Sequence, residues 1–441
     1  MEKQSLGQKI TNIFNQYQGL SKSAYVLFFA RLVTSMGAFI FPMLTLILTV
    51  KLGYTMLYAG SLMAIVSILM LAANLIGGKL ADKFNRKKLI IILDVISVVF
   101  FFACAIVQPH VLMIYFLVVS GFFATMEGPA FEALIAESTL PAEREKVFSL
   151  AYLGFNLGFA FGAAIAGLLF TNYLSIAFII DGLTTITSTF MIIFLVKVYK
   201  HDEIKAEDKN EYEDHIDKKQ TIFNILKERK SILYFIFISS IGAFIYTQWT
   251  FTLPAYVINI FGEDLGAVYF GFISSVNGIA VIVLTPLITY LLRKKYELQK
   301  MAIGALLFGL SFIIIFRVNA LYLFFIFIFV FTLAEVINTV GSAPYMSRRV
   351  PGSHRGRLSS IGFLGYFVGS NVSTVICGLI IDKLGYDYVL GLLVILGIVQ
   401  SILILMNYKV DKKIFPKLYL TPPSMMKTSL MKEKESNQNQ T

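Results

Sequence analysis

The chain has 441 residues, of which 57% are hydrophobic and only 15% are charged, and its formal net charge is +11. An ordinary water-soluble domain carries about 25% charged residues, so this composition excludes that class of protein. The excess of positive charge requires no nucleic-acid partner, because basic loops beside the anionic lipid of a membrane account for it.

Twelve apolar stretches follow one another along the chain. Each has close to the roughly 20 residues that a helix needs to cross the hydrocarbon core of a bilayer, or more. We therefore predict an all-α protein with twelve transmembrane helices that is surrounded by membrane lipid. The stretches cover residues 24–50, 55–78, 89–107, 111–136, 147–170, 175–198, 231–258, 266–290, 299–317, 321–346, 358–380 and 386–408.

Polar segments flank and divide these stretches. An N-terminal segment covers residues 1–23, a linker rich in charges of both signs covers 199–230, and a polar tail covers 409–441. The linker separates six stretches from the other six. We therefore predict two six-helix bundles, at 24–198 and 231–408.

The two predicted bundles carry similar sequences at equivalent places. The first stretch contains GAFIF at 37–41, and the seventh contains GAFIY at 242–246. The fifth and eleventh stretches share a Leu-Gly pair, at 153–154 and at 364–365. These echoes indicate an internal duplication and therefore two pseudo-symmetric halves. Internal repeats of this kind are typical of secondary transporters.

The distribution of Lys and Arg predicts the orientation. Thirty-four of these 38 residues lie in the N-terminal segment, the loops after even-numbered stretches and the tail. The opposite side carries only Lys51, Arg317 and Lys383, and Arg31 lies within the first stretch. Because positive loops remain in the cytoplasm, we predict that both termini are cytoplasmic and that the protein spans the cell membrane.

A dense cluster of charges, GGKLADKFNRKK at 77–88, separates the second stretch from the third. It resembles the signature G-x-L-A-D-[RK]-x-G-R-[RK]-[RK] of the major facilitator superfamily. Gly78, Asp82 and Arg86 match this signature. Asn85 replaces its second glycine, and Asn tolerates the left-handed conformation that we expect in this turn.

The resemblance implies the twelve-helix fold of that superfamily, a monomeric protein and transport by alternating access. It also implies that the loop acts as a latch on the cytoplasmic side. In this interpretation Asp82 meets the start of the eleventh helix, where the helix dipole attracts a carboxylate. Arg86 pairs with Glu137 at the end of the fourth helix.

The fifth stretch suggests a direction of transport. Gly154, Gly158 and Gly162 match part of the glycine motif of antiporters in this superfamily, although Phe159 replaces its proline. The chain is thus similar to twelve-helix drug:proton antiporters, which favours efflux. Close helix packing is the alternative reason for such glycines.

In this superfamily the first, fourth, seventh and tenth helices line the substrate cavity. In these stretches aromatic side chains accompany few polar groups, which suits an amphiphilic or lipophilic small molecule. The candidate cavity residues are Phe41, Tyr246, Gln248, Trp249 and Asn338.

Ionisable groups within the stretches are candidates for proton coupling, because charge at membrane depth is costly and is retained for function. Glu127 and Glu335 lie near mid-depth, and Arg31 and Glu132 lie closer to the cytoplasmic side. We expect Arg31 to pair with Glu127, so that protonation of Glu127 frees the arginine. Asp94 and Asp181, nearer the helix ends, are expected to be structural or to reach towards water.

The chain carries no nucleotide-binding loop and no hydrolase or metalloprotease motif, so we expect neither an enzyme nor a cofactor other than the proton gradient. Its two cysteines, both in apolar stretches, predict neither a disulfide nor a metal site. Proton-coupled efflux is the leading hypothesis. Proton-coupled uptake of a small metabolite or peptide is an alternative within the same class, and a non-transporting membrane sensor or scaffold is an alternative of another class.

Overall fold

A computed structural model describes residues 17–38, 40–107, 109–139, 143–198, 226–349 and 355–420. Every regular element in these ranges is helical, which confirms the all-α class. Most of the predicted N-terminal segment, linker and tail lies outside the described residues.

Six helices form the first half of the chain. Their lengths and apolar composition follow the predicted stretches, with ends that shift by a few residues. They are α1 (Lys22–Gly37), α2 (Met56–Lys83), α3 (Arg86–Ile106), α4 (Val111–Glu137), α5 (Arg144–Phe170) and α6 (Leu174–Leu195).

The second half contains a helical stretch of 62 residues, Lys230–Leu291, which consists of two helices. Gly262, with φ of 80°, interrupts the stretch and defines α7 (230–261) and α8 (263–291). The remaining helices are α9 (Glu297–Ile314), α10 (Leu321–Arg349), α11 (Arg355–Leu384) and α12 (Tyr386–Ile414), followed by a short 3-10 helix at Pro416–Tyr419.

Ten helices of the described chain are long and apolar enough to cross a membrane. The longest of them contains both α7 and α8, and α1 has only 16 residues. The predicted twelve segments are therefore present, but α1 is not the continuous helix that we expected over 24–50.

The interruption of α1 has a local cause. The helix ends at Gly37, and the chain resumes helical structure only at Leu44–Leu46 and a π-helix at Ile47–Lys51. Pro42 has no N–H to donate to the carbonyl of Ala38 four residues earlier, and its ring clashes with that carbonyl. The proline therefore stops the helix in the middle of the predicted span.

The last helix, in contrast, extends beyond its predicted end at 408 to Ile414. Asn407 and Asp411 are buried, and the Asn407 amide donates to the carbonyl of Ser231 at 3.0 Å. The sequence prediction was wrong here because polar residues that face the protein interior lower the hydropathy of a helix without ending it.

The chain divides into two compact units. One comprises residues 1–54, 62–205 and 257–279, and the other comprises 55–61, 206–256 and 280–441. These units differ from the predicted halves in two short segments. The start of α8 packs with α5, where a β-carbon built on Gly271 would lie 2.5 Å from the Ala163 carbonyl oxygen. The start of α2 packs with α11 instead.

Candidate transport site

Three ionisable side chains lie at similar depth in the first half. Counted from the predicted cytoplasmic helix ends at 1.5 Å per residue, Asp94 lies about 12 Å deep, Arg31 about 14 Å and Glu127 about 15 Å. Glu127 interacts electrostatically with Asp94, and also with Arg31 and Glu132. The described helices therefore bring Arg31, Asp94 and Glu127 into one polar cluster.

Asp94 is the member of this cluster that the sequence interpretation missed. Thr189 on α6 donates its hydroxyl to Asp94 Oδ2 at 2.5 Å. The carboxylate thus faces neighbouring helices rather than water at the helix end. Asp94 lies about as far from the start of α3 as Arg31 lies from the start of α1. This similar depth was the feature of the sequence that could have placed Asp94 in the cluster.

The expected ion pair between Arg31 and Glu127 is not formed. Their charged atoms do not approach within 4.0 Å in the structure, although both residues are described. The guanidinium carbon of Arg31 instead lies 5.4 Å from the ring centre of Phe131 and 5.3 Å from that of Phe155. Because aromatic faces attract cations, these rings offset the lost pairing. Glu132 is exposed, farther from the centre of the cluster.

The second half contains a cavity of about 300 Å³ whose wall includes Tyr246, Glu335 and Asn338. The Tyr246 hydroxyl donates to Glu335 Oε1 at 3.0 Å. Met301 and Phe308 supply apolar surface, so the wall combines apolar side chains with polar ones. Three of the candidate residues from the sequence are therefore together in one cavity.

Trp249 and Gln248 have supporting positions. Trp249 is buried and hydrogen-bonds to the side chain of Tyr246. Gln248 is fully buried, donates to Ser373 Oγ at 2.9 Å and accepts from Thr252 at 2.6 Å. Gln248 is not part of the wall of this cavity, because its amide joins α7 to α11, and its role in substrate binding stays a prediction.

Phe41 lies in the first unit, in the interrupted part of α1. Its ring packs close to Gly121 of α4, where a built β-carbon would lie 2.6 Å from Cζ of the ring. It also borders a small apolar crevice with Leu44 and Met63. Its side chain is about one-third exposed, and its role in substrate binding stays a prediction.

At the predicted cytoplasmic end of the first half, Arg86 Nη1 lies 3.2 Å from Glu137 Oε1, so the expected ion pair is present. The Asp82 side chain is exposed and makes no hydrogen bond or ion pair with any described residue. The side chains at the start of α11, its expected partner, lie outside the described residues. The latch therefore stays a prediction.

The backbone of this loop differs from the expectation. Asn85 has φ of −63° and ψ of 121°, not a left-handed conformation. Its side-chain oxygen accepts from the Lys88 N–H at 3.1 Å and so caps α3, the task for which Asn is favoured at a helix start. A β-carbon on Gly78 would meet nothing within 4 Å, whereas one on Gly77 would lie 2.3 Å from the Met126 carbonyl oxygen.

The three glycines of α5 pack directly on α1. β-Carbons built on Gly154, Gly158 and Gly162 would lie 2.3 to 2.8 Å from backbone oxygens of α1. A methyl group at any of them would force the two helices apart. Close packing thus accounts for the spacing of these glycines, and their link to antiport stays a prediction.

The second half contains a buried ionic cluster that the sequence interpretation did not identify. Arg349, at the end of α10, donates from Nε to both carboxylate oxygens of Asp411 at 2.8 and 2.9 Å. Tyr345 and Tyr419 donate to the same carboxylate at 3.1 and 2.5 Å. Burial raises the pKa of Tyr419, so its hydroxyl keeps the proton that it donates.

A sequence model of the Major Facilitator Superfamily matches residues 27–300 and 299–418 of this chain, which together cover most of it. Among curated proteins, the chain is 26% identical to the "Na(+), Li(+), K(+)/H(+) antiporter" of Planococcus maritimus over 76% of this chain and 84% of that protein. It is 23% identical to the "Multidrug resistance protein MdtH" of Yersinia enterocolitica over 80% of this chain and 87% of that protein.

The fold is similar to those of solved peptide transporters. A crystal structure of the peptide transporter POT, carrying one substitution, matches with a TM-score of 0.74 over 89% of this chain and 95% of that one. The POT family transporter PepTSo matches with a TM-score of 0.71 over 89% and 98%. Sequence identities of 16% and 14% limit this likeness to the fold.

Proposed function

Because this chain belongs to the Major Facilitator Superfamily, whose members are multi-pass membrane transporters and not enzymes, we propose that it exports amphiphilic small molecules from the cell in exchange for protons. The proposal combines a site that binds a proton with a cavity that suits an amphiphilic substrate. Each of these rests on residues of one half of the chain.

The proximity of two carboxylates in the first half is the observation that carries the proposal. Asp94 and Glu127 project from neighbouring helices at similar depth and interact electrostatically. Two like charges in surroundings of low polarity strongly disfavour the state in which both are ionised. This pair is therefore suited to hold one proton and to release it when its surroundings become wetter.

Arg31 is placed to respond to that proton. It lies within electrostatic range of Glu127 but rests on the rings of Phe131 and Phe155. When Glu127 is ionised, the arginine is drawn towards it, and when Glu127 is protonated, the aromatic rings retain the arginine. In this scheme protonation of Glu127 changes the position of the Arg31 side chain. That movement can be coupled to the conformational change of transport.

The cavity of the second half supports an amphiphilic substrate. Its wall combines apolar surface with the carboxylate of Glu335, the amide of Asn338 and the hydroxyls of Tyr246 and Tyr366. A single carboxylate beside aromatic rings suits a flat or lipophilic molecule that carries a positive charge.

The names of two relatives are consistent with exchange and with multidrug transport. One relative is named as a cation/proton antiporter and another as a multidrug resistance protein. Peptide transporters share the fold, so proton-coupled uptake remains the second candidate. The direction in which the proton moves relative to the substrate distinguishes the two.

Reconstitution in liposomes tests the proposal. With ethidium as substrate and a pH-sensitive dye inside, an imposed pH gradient is expected to drive ethidium against its own gradient while protons move the opposite way. Movement of both in the same direction would support uptake. Absence of any flux for ethidium and for a set of other amphiphiles would support a sensor or scaffold.

Two variants test which residues couple transport to the proton gradient. Glu127→Gln is expected to abolish the dependence of transport on the proton gradient while ethidium binding persists, and Arg31→Ala is expected to impair both. Glu263→Gln, the same chemical change at an exposed position, is the matched control and keeps the dependence. Undiminished pH dependence in Glu127→Gln would move the coupling role to Glu335.

A further inference from the structure

The end of α1 leaves backbone oxygens without their helical partners inside the predicted membrane span. Gly37 lies about 22 Å from the start of the helix at 1.5 Å per residue. Among the described residues, no backbone N–H donates to the carbonyl oxygens of Gly37 or Ala38. Such oxygens carry the negative end of the helix dipole and favour a nearby cation.

Asp181 of α6 lies beside this helix end. A β-carbon built on Gly37 would lie 3.2 Å from Asp181 Oδ1 and 2.0 Å from the Thr184 hydroxyl oxygen. The Asp181 residue is only 3% exposed, and its Oδ2 has no hydrogen-bond partner among the described residues. Gly37 is thus the position at which the carboxylate, the hydroxyl and the end of α1 meet.

This arrangement is unfavourable unless a positive charge is bound. A buried carboxylate and a helix C-terminus are both negative, so each raises the cost of the other. Arg31, the nearest cation on α1, lies six residues earlier, about 9 Å along the helix axis. The aromatic rings of Phe131 and Phe155 and the charge of Glu127 already engage it.

We propose that Asp181, Thr184 and the carbonyl oxygens at the end of α1 form a binding site for a dehydrated alkali cation such as Na⁺. The Thr184 hydroxyl donates to the carbonyls of Ile180 and Asp181, so its oxygen lone pairs remain for a ligand. Oxygen atoms alone suit a hard cation, and unwound helix ends are places where transporters bind Na⁺.

The oxygen set favours a monovalent ion over two other ways of neutralising Asp181. A single carboxylate supplies only one negative charge, which balances a monovalent rather than a divalent cation. A proton would remove the charge of Asp181, but it would leave the carbonyl oxygens at the end of α1 without a partner. A metal ion, in contrast, binds oxygens that are too far apart to hydrogen-bond to each other.

This site goes beyond the proposed function, because exchange of a drug for a proton requires no alkali cation. It is tested by binding rather than by transport, so its failure is distinguishable from failure of the proposed function. Both cysteines are buried, and a thiol-reactive dye therefore reports unfolding of the purified full-length protein in detergent.

The melting temperature in NaCl is compared with that in choline chloride at equal ionic strength. Because a ligand that binds only the folded protein stabilises it, Na⁺ is expected to raise the melting temperature in a saturable way. Asp181→Asn and Gly37→Ala are each expected to lose this response. Asp387→Asn, the same change of an aspartate in an exposed ion pair, is expected to retain it.

Two results would overturn the proposal: equal melting temperatures of the wild-type protein in the two salts, and a Na⁺ response in Asp181→Asn as large as that of the wild type. If Asp181→Asn fails to fold, infrared difference spectra of the wild-type protein provide the readout. Na⁺ is expected to change the carboxyl stretching bands, and unchanged bands would mean that no carboxylate binds the ion.

Discussion

The predicted cytoplasmic ends of the two halves carry the same kind of contact with the charges exchanged. In the first half a cation at the start of α3, Arg86, pairs with an anion at the end of α4, Glu137. In the second half an anion at the start of α9, Glu297, pairs with Arg348 at the end of α10, at 2.5 Å. Equivalent helices of the two halves thus share the contact but not its polarity.

The two ends differ in burial because the second half carries a further ion pair beside its contact. The side chains of Arg86 and Glu137 are 30% and 35% exposed. Arg349, next to Arg348, is 1% exposed and binds Asp411, which is 0% exposed. The second half thus adds a fully desolvated ion pair, held by α12, to the contact that both halves share.

This difference indicates which half rearranges more easily at its predicted cytoplasmic end. A partly exposed ion pair contributes about 0–1 kcal/mol, so the first half can break its contact at little cost. Breaking a buried pair by removing one partner costs about 3–5 kcal/mol. We therefore expect the end of the second half to move as a rigid body and the loop at 77–88 to adjust during transport.

The largest effect is expected from Asp411→Asn. The change strands the buried guanidinium of Arg349, so the free energy of unfolding is expected to fall by about 3–5 kcal/mol. Thermal unfolding of the detergent-solubilised protein measures it, with Asp387→Asn as the control at an exposed pair. Similar decreases in the free energy of unfolding for the two variants would contradict the expectation that the predicted cytoplasmic end of the second half is rigid.

Glu297→Gln is expected to have an intermediate effect. The carboxylate contacts Arg348 Nη1 at 2.5 Å and Arg349 Nη2 at 3.8 Å, and its side chain is 7% exposed. Loss of a hydrogen bond to a charged group costs about 1.5–3 kcal/mol, while Asp411 still neutralises Arg349. The same unfolding assay checks this order, and a loss larger than that of Asp411→Asn would reverse our ranking.

A double-mutant cycle on Arg86 and Glu137 is expected to give a small coupling energy. Because the pair is partly exposed, Arg86→Ala and Glu137→Ala should couple by about 0.2–1 kcal/mol. The exchanged variant, Arg86→Glu with Glu137→Arg, copies the polarity of the second half and should recover most of that energy. If the exchanged variant does not recover the coupling energy, other charges near Arg86 and Glu137 determine which of the two positions is positive.

The smallest effect on stability, together with an effect on transport, is expected for Asp82→Asn. The side chain is exposed and without a described partner, so unfolding should change by no more than about 0.5 kcal/mol. If Asp82 latches the cytoplasmic side, cross-links between cysteines placed across that side should form less readily and transport should slow. Unchanged cross-linking with full transport would refute the latch.

Much of the candidate site was predicted from the sequence and from its resemblance to the superfamily. Glu335, Tyr246 and Asn338 were expected to line the cavity because the resemblance places their helices there, and these three residues share one cavity. Arg86 was likewise expected to pair with Glu137, and it does. The interpretation failed where a side chain could point in several directions. Gln248 faces α11 instead of the cavity, and Asp94 faces α6 instead of water, because helix rotation is set by packing against neighbours.

Composition and hydropathy predicted the class of protein and the number of spans, but not the break in α1. GAFIF at 37–41 and GAFIY at 242–246 are nearly identical and a proline follows each, yet only the first is interrupted, close to Pro42, whereas α7 continues through Pro254. Tertiary structure alone decided that Asp181 lies at that break and that Asp411 and Arg349 are sealed from water. Partners distant in sequence are chosen by close packing of helix surfaces, which local propensity and hydropathy do not encode.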